Sequence, residues 1–168
     1  MKAIVAIDKN NGIAKNNDIP FNSKSDLNRF KRLTLNSNVI MGRKTFEAII
    51  KRNGKPLEKR LSFVITRNKE LLKNNNEYGF HVRFITIEEA SSLIESDSWI
   101  IGGKEIYEYF EPYIKEWYIT RFYKDFDCDI HYDIYDKIDY NGSKYNKKFI
   151  NAYSQPTNEY DYRIFVRV

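Results

Sequence analysis

Among the 168 residues, Asp26 is the first whose type and setting invite chemistry. Phe30, Leu33 and Thr34 share its face at helical spacing, with Leu27 beside them, so a stripe that should meet the core begins with one acid. Ser23 and Ser25 stand just before it, and a first-turn carboxylate can simply complement the helix dipole or cap free N–H groups. The chemical alternative is a carboxylate carried into a ligand cleft, and two further segments favour it. Val39-Ile40-Met41-Gly42-Arg43-Lys44-Thr45 reads as a strand turning straight into a helix. Gly42 admits close backbone approach there, the helix N-terminus offers free N–H groups, and Arg43 and Lys44 add charge suited to phosphate. Trp99-Ile100-Ile101-Gly102-Gly103-Lys104-Glu105-Ile106-Tyr107 repeats the plan. One cradle, at Gly102 and Gly103, suits the diphosphate of a dinucleotide, and the other, at Arg43 and Lys44, a ribose phosphate. With neither Gly-x-Gly-x-x-Gly nor Gly-x-x-x-x-Gly-Lys-Ser/Thr in the chain, neither an ordinary Rossmann dehydrogenase nor a P-loop NTPase is indicated.

These groups need a scaffold, and the hydrophobic pattern supplies one. Strand-like runs at Ala3 to Ile7, Asn38 to Met41, Leu61 to Thr66, Val82 to Ile85 and Trp99 to Ile101 alternate with short helical patterns. The helical patterns are Asp26 to Leu33, Thr45 to Ile50, Glu88 to Ile94 and Glu105 to Tyr109. This order predicts an α/β fold with a mainly parallel sheet. Glu116 to Phe122, Phe149 to Tyr153 and Tyr160 to Val168 read as strands with no helix between the last two, which predicts an antiparallel C-terminal edge. Lys73-Asn74-Asn75-Asn76-Glu77 and Asn141-Gly142-Ser143-Lys144 read as loops. A chain of this length with 42% hydrophobic residues suits one domain over 1–168. The net charge of +5 comes from 28 basic residues scattered among 23 acidic ones, which favours anionic small molecules over nucleic acid. Cys128 is the only cysteine, so no intrachain disulfide can form. The apolar run Ala3 to Ile7 is too short for a signal-peptide core, no segment reaches membrane-spanning length, and the expectation is a cytoplasmic monomer.

The order and spacing of Ile19-Pro20-Phe21, Asp26, Phe30, Thr34, Met41-Gly42-Arg43-Lys44-Thr45, Ile101-Gly102-Gly103 and Tyr118-Ile119-Thr120 resemble dihydrofolate reductases. Gly12-Ile13-Ala14, Lys55-Pro56-Leu57 to Arg60, Thr66-Arg67 and Asp127-Cys128-Asp129 extend the likeness over nearly the whole chain. The resemblance implies NADPH-dependent reduction of 7,8-dihydrofolate to 5,6,7,8-tetrahydrofolate, by hydride transfer to pterin C6 and protonation at N5, in support of one-carbon metabolism and thymidylate synthesis. Asp26 would hold the pterin ring nitrogen and exocyclic amine and favour the protonated imine, with Thr120 bonded to it or to the amine through water. Ile4, Val5, Ala6, Phe30 and Ile49 would wall the pterin and benzoyl ring. Arg60 would pair with the substrate's glutamate carboxylate, assisted by Lys31 and Lys55. On the cofactor side, Ala6, Ile13 and Ala14 would border the nicotinamide and its ribose, and Lys44 and Thr45 the diphosphate. Gly42, Ile101, Gly102, Gly103, Lys104, Glu105, Ile106 and Tyr107 would line the same groove. Arg43, Thr66 and Arg67 would surround the adenosine 2′-phosphate, which selects NADPH over NADH. The family joins its paired glycines by a cis peptide.

The chain departs from the family pattern at several points. Phe21 stands where the family usually has tryptophan, whose indole N–H holds a water near the substrate, so Phe21 bears on proton delivery. Ala14 replaces a usual glycine and stiffens the loop Asn10 to Asp18, by resemblance the lid over the nicotinamide. Ile50-Lys51-Arg52-Asn53 looks like an insertion. The only histidines, His81 and His131, lie far apart in sequence and support no catalytic triad. Asp129, His131 and Asp133 would share a face of a strand, where a polar outer surface is the ordinary reading and no metal is expected. The related reductase of riboflavin synthesis would not be expected to carry both Asp26 and Arg60. A single-stranded nucleic-acid module remains the reading from a different class, on the aromatic and basic stretch Lys104 to Tyr118.

Overall fold

A computed structural model describes residues 1–74, 77–139 and 148–168. The loops expected at Asn75-Asn76 and Asn141 to Lys144 lie outside the described residues. In chain order the elements are β1 (Lys2–Ile7), β2 (Gly12–Ala14), α1 (Lys24–Thr34), β3 (Asn38–Gly42), α2 (Arg43–Asn53), β4 (Leu61–Ile65), α3 (Lys69–Lys73) and β5 (Val82–Ile85). They continue with α4 (Ile87–Ala90), β6 (Ser98–Gly102), α5 (Lys104–Phe110), β7 (Glu116–Phe122), β8 (Ile130–His131), α6 (Ile134–Asp139), β9 (Phe149–Pro156) and β10 (Tyr160–Arg167). Eight strands form one sheet in the order β5-β4-β3-β6-β1-β7-β10-β9. Neighbours from β5 to β7 run parallel, while β10 pairs antiparallel with both β7 and β9. The mainly parallel sheet with an antiparallel C-terminal edge is as the sequence predicts.

Alternation along the strands divides the core between the two faces of the sheet. Ala3, Val5 and Ile7 of β1 join Ile100, Ile119, Ile106 and Phe110 in one cluster, which takes in Tyr132 and Ile134. Ile4, one residue out of phase, packs with Phe30, Phe46, Ile49, Val64 and Trp99 in the other. Of the aromatic stretch, Tyr107, Phe110 and Trp117 are buried while Tyr109 and Tyr113 are exposed. The suspected insertion is the last turn of α2, which Gly54 ends in the left-handed conformation with φ 73°. The expected helix Glu88 to Ile94 is instead one α turn, closed at its start by a capping box between Thr86 and Glu89, followed by a 3-10 turn over Ser91–Leu93.

Four short elements escape the hydrophobic pattern: β2, α3, β8 and α6. The ladder of β2 with β8 fastens the Asn10 to Asp18 loop to the segment before α6. The buried Asp8 carboxylate ties the same region, its Oδ1 accepting from Asn10 N and Gly12 N at 2.8 Å each and its Oδ2 from Phe126 N at 3.1 Å. Gly12 sits so close to Cys128 that a Cβ built on it would lie 2.4 Å from the cysteine Cβ and 2.6 Å from its Sγ. Asn16 and Asn17 turn the loop back at positive φ, and Asn16 N donates to Asp129 Oδ2 at 2.9 Å. Asp133 pairs with Lys137 at 3.2 Å. Among the described residues no three acidic, histidine or cysteine side chains gather as a metal site would require.

Candidate active site

The sheet topology dictates where a ligand can sit. Chain order runs outward from β3 to β5 on one side and returns to β6, which lies between β3 and β1, so the carboxyl ends of β3, β6 and β1 flank a switch in strand order. Crevices outside the carboxyl ends at such a switch are the usual ligand sites of open α/β sheets. A cleft of about 1840 Å³ opens there. It exceeds the several hundred Å³ that one small ligand needs and has room for two side by side.

Asp26 reaches this cleft from the first turn of α1. It does not cap its helix: Thr120 of β7 donates its hydroxyl to Asp26 Oδ1 at 2.6 Å, across 94 residues of sequence. Arg29, one helical turn on, donates to the same oxygen from its Nη1 at 3.1 Å. Ser23 and Ser25 bond each other at 3.2 Å, and no side chain caps α1. Burial raises the Asp26 carboxyl above its ordinary value, against the opposing pull of the Thr120 hydroxyl and the Arg29 charge. Ala6 pairs with Thr120 in the sheet, and Ile4, Val5 and Ala6 border the cleft beside Phe30 and Ile49. Val5 also belongs to the main core.

Arg60 forms the far end of this apolar wall and is only 6% exposed. Its Nε donates to Glu58 O at 2.9 Å and its Nη1 to Thr34 Oγ1 at 3.2 Å, while Thr34 donates in turn to Phe30 O at 2.8 Å. These bonds fix a buried arginine in the cleft lining. Lys31 lines the cleft from the exposed side of α1, whereas Lys55 lies outside it and pairs with Glu58 at 2.6 Å. Phe21 also lies outside the cleft wall. It is 2% exposed and stacks on Phe122 at 4.8 Å with Phe126 edge-on, in a cluster with Tyr160 and Tyr162. Where a tryptophan would present a polar N–H, this ring completes a packed aromatic cluster.

The two glycine turns converge at the other end of the cleft. A Cβ on Gly42 would press Ile106 Cγ1 at 3.3 Å and lie 3.8 Å from Gly103 N, so the turns abut rather than form separate cradles. Gly102 has φ 128°, closed to other residues without strain, and the Gly102–Gly103 peptide is cis. Thr45 Oγ1 would be 3.4 Å from a Cβ on Gly102 and 3.5 Å from one on Gly103. Tyr107 props the floor, donating its hydroxyl to Ile4 O at 2.7 Å. Gly42 caps α2 with no side-chain bond, and α2 has no acid in its first turn, so its N–H groups and the Lys44 charge face the cleft open to an anion. Arg43 and Arg67 approach from adjacent strand ends with Thr66 between them, Arg43 being held to Glu47. Ile13, Ala14, Ile101, Lys104, Glu105 and Ile106 complete this wall.

Sequence reasoning assigned no role to several residues that shape the cleft. Arg29 carried a faint signal as a cation one turn after a half-buried acid. Arg52 carried none: from the end of α2 it donates to Ile19 O at 3.0 Å and Phe21 O at 3.1 Å, holding down the chain where the Asn10 to Asp18 loop enters α1. Leu57, Thr86, Ile87 and the Asp129 to His131 edge also line the cleft. Thr86 was legible through Thr-x-x-Glu, a capping signature at the end of a predicted strand.

A family model described as dihydrofolate reductase matches residues 1–167. The chain belongs to the dihydrofolate reductase family. Among curated relatives, the dihydrofolate reductase of Staphylococcus haemolyticus is 31% identical over 161 residues, covering 95% of this chain and 89% of that protein. That of Bacillus subtilis strain 168 is also 31% identical, over 80% of this chain and 76% of its own. A solved dihydrofolate reductase from Enterococcus faecalis, complexed with NADP(H) and RAB-propyl, superposes with a TM-score of 0.74 over 99% of this chain and 95% of that one. At 21% identity the last likeness speaks for the dihydrofolate reductase fold alone. Membership of this family sets aside the related reductase of riboflavin synthesis.

Proposed function

We propose that this chain reduces 7,8-dihydrofolate to 5,6,7,8-tetrahydrofolate with NADPH, as a cytoplasmic monomer whose 168 residues act as one domain. The observation that carries the reading is the Asp26 carboxylate: mostly withdrawn from water, bonded to Thr120 and opening on a cleft with an apolar wall, a buried arginine and an uncapped helix N-terminus. The residues present fit the cofactor. The open N–H groups of α2, Lys44 and Thr45 suit a diphosphate, Gly42, Gly102 and Gly103 clear room where a Cβ would intrude, and Arg43, Thr66 and Arg67 suit a 2′-phosphate. When bound, NADPH supplies the hydride that reduces pterin C6.

The protein's own part is to bind, orient and hold a proton. Asp26 accepts N–H bonds from the pterin ring nitrogen and exocyclic amine, which fixes the ring, and its charge favours the protonated N5 imine. A carboxyl raised by burial keeps a proton available closer to neutrality than a solvated one. Thr120 spends its hydroxyl proton on Asp26 Oδ1, so the carboxylate keeps one rotation. Ile4, Ala6, Phe30 and Ile49 exclude water from the ring, and Arg60 presents a fork for the substrate's glutamate carboxylate. Tetrahydrofolate made here would serve one-carbon metabolism and thymidylate synthesis. The test is loss of NADPH absorbance on adding dihydrofolate, with NADH in parallel. NADPH-selective turnover is expected, whereas NADPH binding without turnover would overturn the substrate assignment.

A further inference from the structure

The Asp26–Arg29 pair differs from an ordinary i, i+3 surface ion pair, which contributes little because both side chains stay hydrated and free. Here the two side chains are only 16% and 10% exposed. The guanidinium is fixed on three sides. Its carbon lies 3.9 Å over the Tyr162 ring and 5.1 Å from the Tyr160 ring centre, and its Nη2 donates to the Tyr160 hydroxyl at 2.8 Å. That hydroxyl is itself bonded to Ser25 Oγ at 2.8 Å. Tyr162 pairs with Thr120 in the β10–β7 ladder, so one strand pair sets both groups that touch the carboxylate. Both protein donors converge on Oδ1, and among the described residues none reaches Oδ2.

We propose that Arg29 is a positioning residue for the reduction: clamped between Tyr160 and Tyr162, it locks the rotation of Asp26, leaves Oδ2 to the substrate and lowers the pH at which the carboxylate takes up its proton. This inference rests on the dihydrofolate reading. Burial acts most on that pH, raising it, and the Thr120 hydroxyl and then the Arg29 charge pull it back down. Of the titratable and charged groups on the elements around the pair, β7 carries Tyr118, β10 carries Tyr160 and Tyr162, β9 carries Tyr153 beside Tyr162, and the exposed Lys31 and Arg32 follow on α1. Burial pushes Tyr162 up to about 12 and Tyr118 higher still, so these phenols stay neutral where the carboxylate titrates. The Arg29 charge, fixed against the carboxylate, pulls it down. A fixed cation beside a buried acid favours the carboxylate, so its removal should move proton uptake to higher pH.

The experiment follows the Asp26 side-chain carboxyl by carbon-13 NMR in aspartate-labelled protein without ligands, its signal identified by its absence in Asp26→Asn. In Arg29→Gln the titration midpoint is expected to rise by about one pH unit or more, as for an acid deprived of a neighbouring arginine. In Tyr160→Phe, which keeps both rings and removes only the hydroxyl that grips the guanidinium, a smaller rise in the same direction is expected. The alkaline limb of kcat for dihydrofolate reduction should move up in step in both variants. An unmoved midpoint in folded Arg29→Gln, or in Tyr160→Phe should the first variant fail to fold, overturns the proposal. Because the titration uses no substrate, a shifted midpoint in a chain that does not reduce dihydrofolate supports the coupling and overturns the functional reading beneath it.

Discussion

Burial lifts the Asp26 carboxyl above its ordinary 3.8 even though Thr120 and Arg29 both pull it down. A group whose folded value is raised binds more protons folded than unfolded, so its ionisation costs stability. The cost is absent below pH 3.8, sets in as pH rises towards the folded value, and is complete above it. Asp26→Asn is therefore expected to melt higher than the parent at neutral pH, with the gain vanishing in acid, while turnover falls by about 10²–10⁴-fold. Thermal melts at several pH values and steady-state rates on the same samples check both halves. Arg60 is held by its own bonds to Glu58 O and Thr34 Oγ1, the second of them buried, while Thr34 is tied in turn to Phe30 O. Arg60→Lys keeps the charge but loses the fork, so KM for dihydrofolate should rise about tenfold or more with kcat little changed, which steady-state kinetics resolves. Loss of one hydrogen bond to a charged group, about 1.5–3 kcal/mol, sets that scale.

At the level of elements, the junction of β2 with the segment before β8 is where side-chain volume matters most. With Cys128 Cβ only 2.4 Å from where a Cβ on Gly12 would stand, Gly12→Ala forces backbone or side-chain displacement. The expected loss is about 1–3 kcal/mol, measured by urea unfolding, and Gly12→Ala combined with Cys128→Gly should recover most of it. The parallel strands were legible because β1, β3, β4 and β6 are short, mostly apolar runs, two of which, β3 and β6, end at glycines, and α1 and α2 because their apolar faces keep a 3.6-residue period. The elements β2, α3, β8 and α6 were not, for they span only two to six residues, and β2 and β8 exist through their pairing with each other across most of the chain. The site divides the same way. Asp26, Gly42 and the Gly102-Gly103 pair broke a local pattern and could be seen. The anchoring role of Arg52 depends on α2 lying beside Ile19, and the setting of Phe21 depends on β7 and β10 supplying its neighbours, neither of which a local window contains.

Across the molecule, the Asp26 and Asp8 carboxyls are shifted in opposite directions. Burial alone would raise Asp8, but N–H groups from Gly12, Phe126 and Asn10 outweigh it and hold the carboxyl below its ordinary 3.8. Its contribution is present above pH 3.8 and is lost as pH falls through the lower folded value, so acid should release the β2 loop from Phe126. Asp8→Asn is expected to flatten that acid limb and to destabilise the protein at neutral pH, where the parent carboxylate is fully charged. Urea unfolding of both proteins across the acid range checks it. Cys128, wedged against Gly12 beside this carboxylate, has its thiol pushed up to about 12 by burial and by the Asp8 charge. A thiol so rarely ionised reacts slowly while the loop is closed, and opening returns it towards ordinary reactivity. The only cysteine in the chain is thus placed to report any opening of this loop. Its labelling by a thiol reagent at fixed pH should accelerate in Asp8→Asn and slow when ligands fill the cleft, reporting a motion that no dye need be engineered to see.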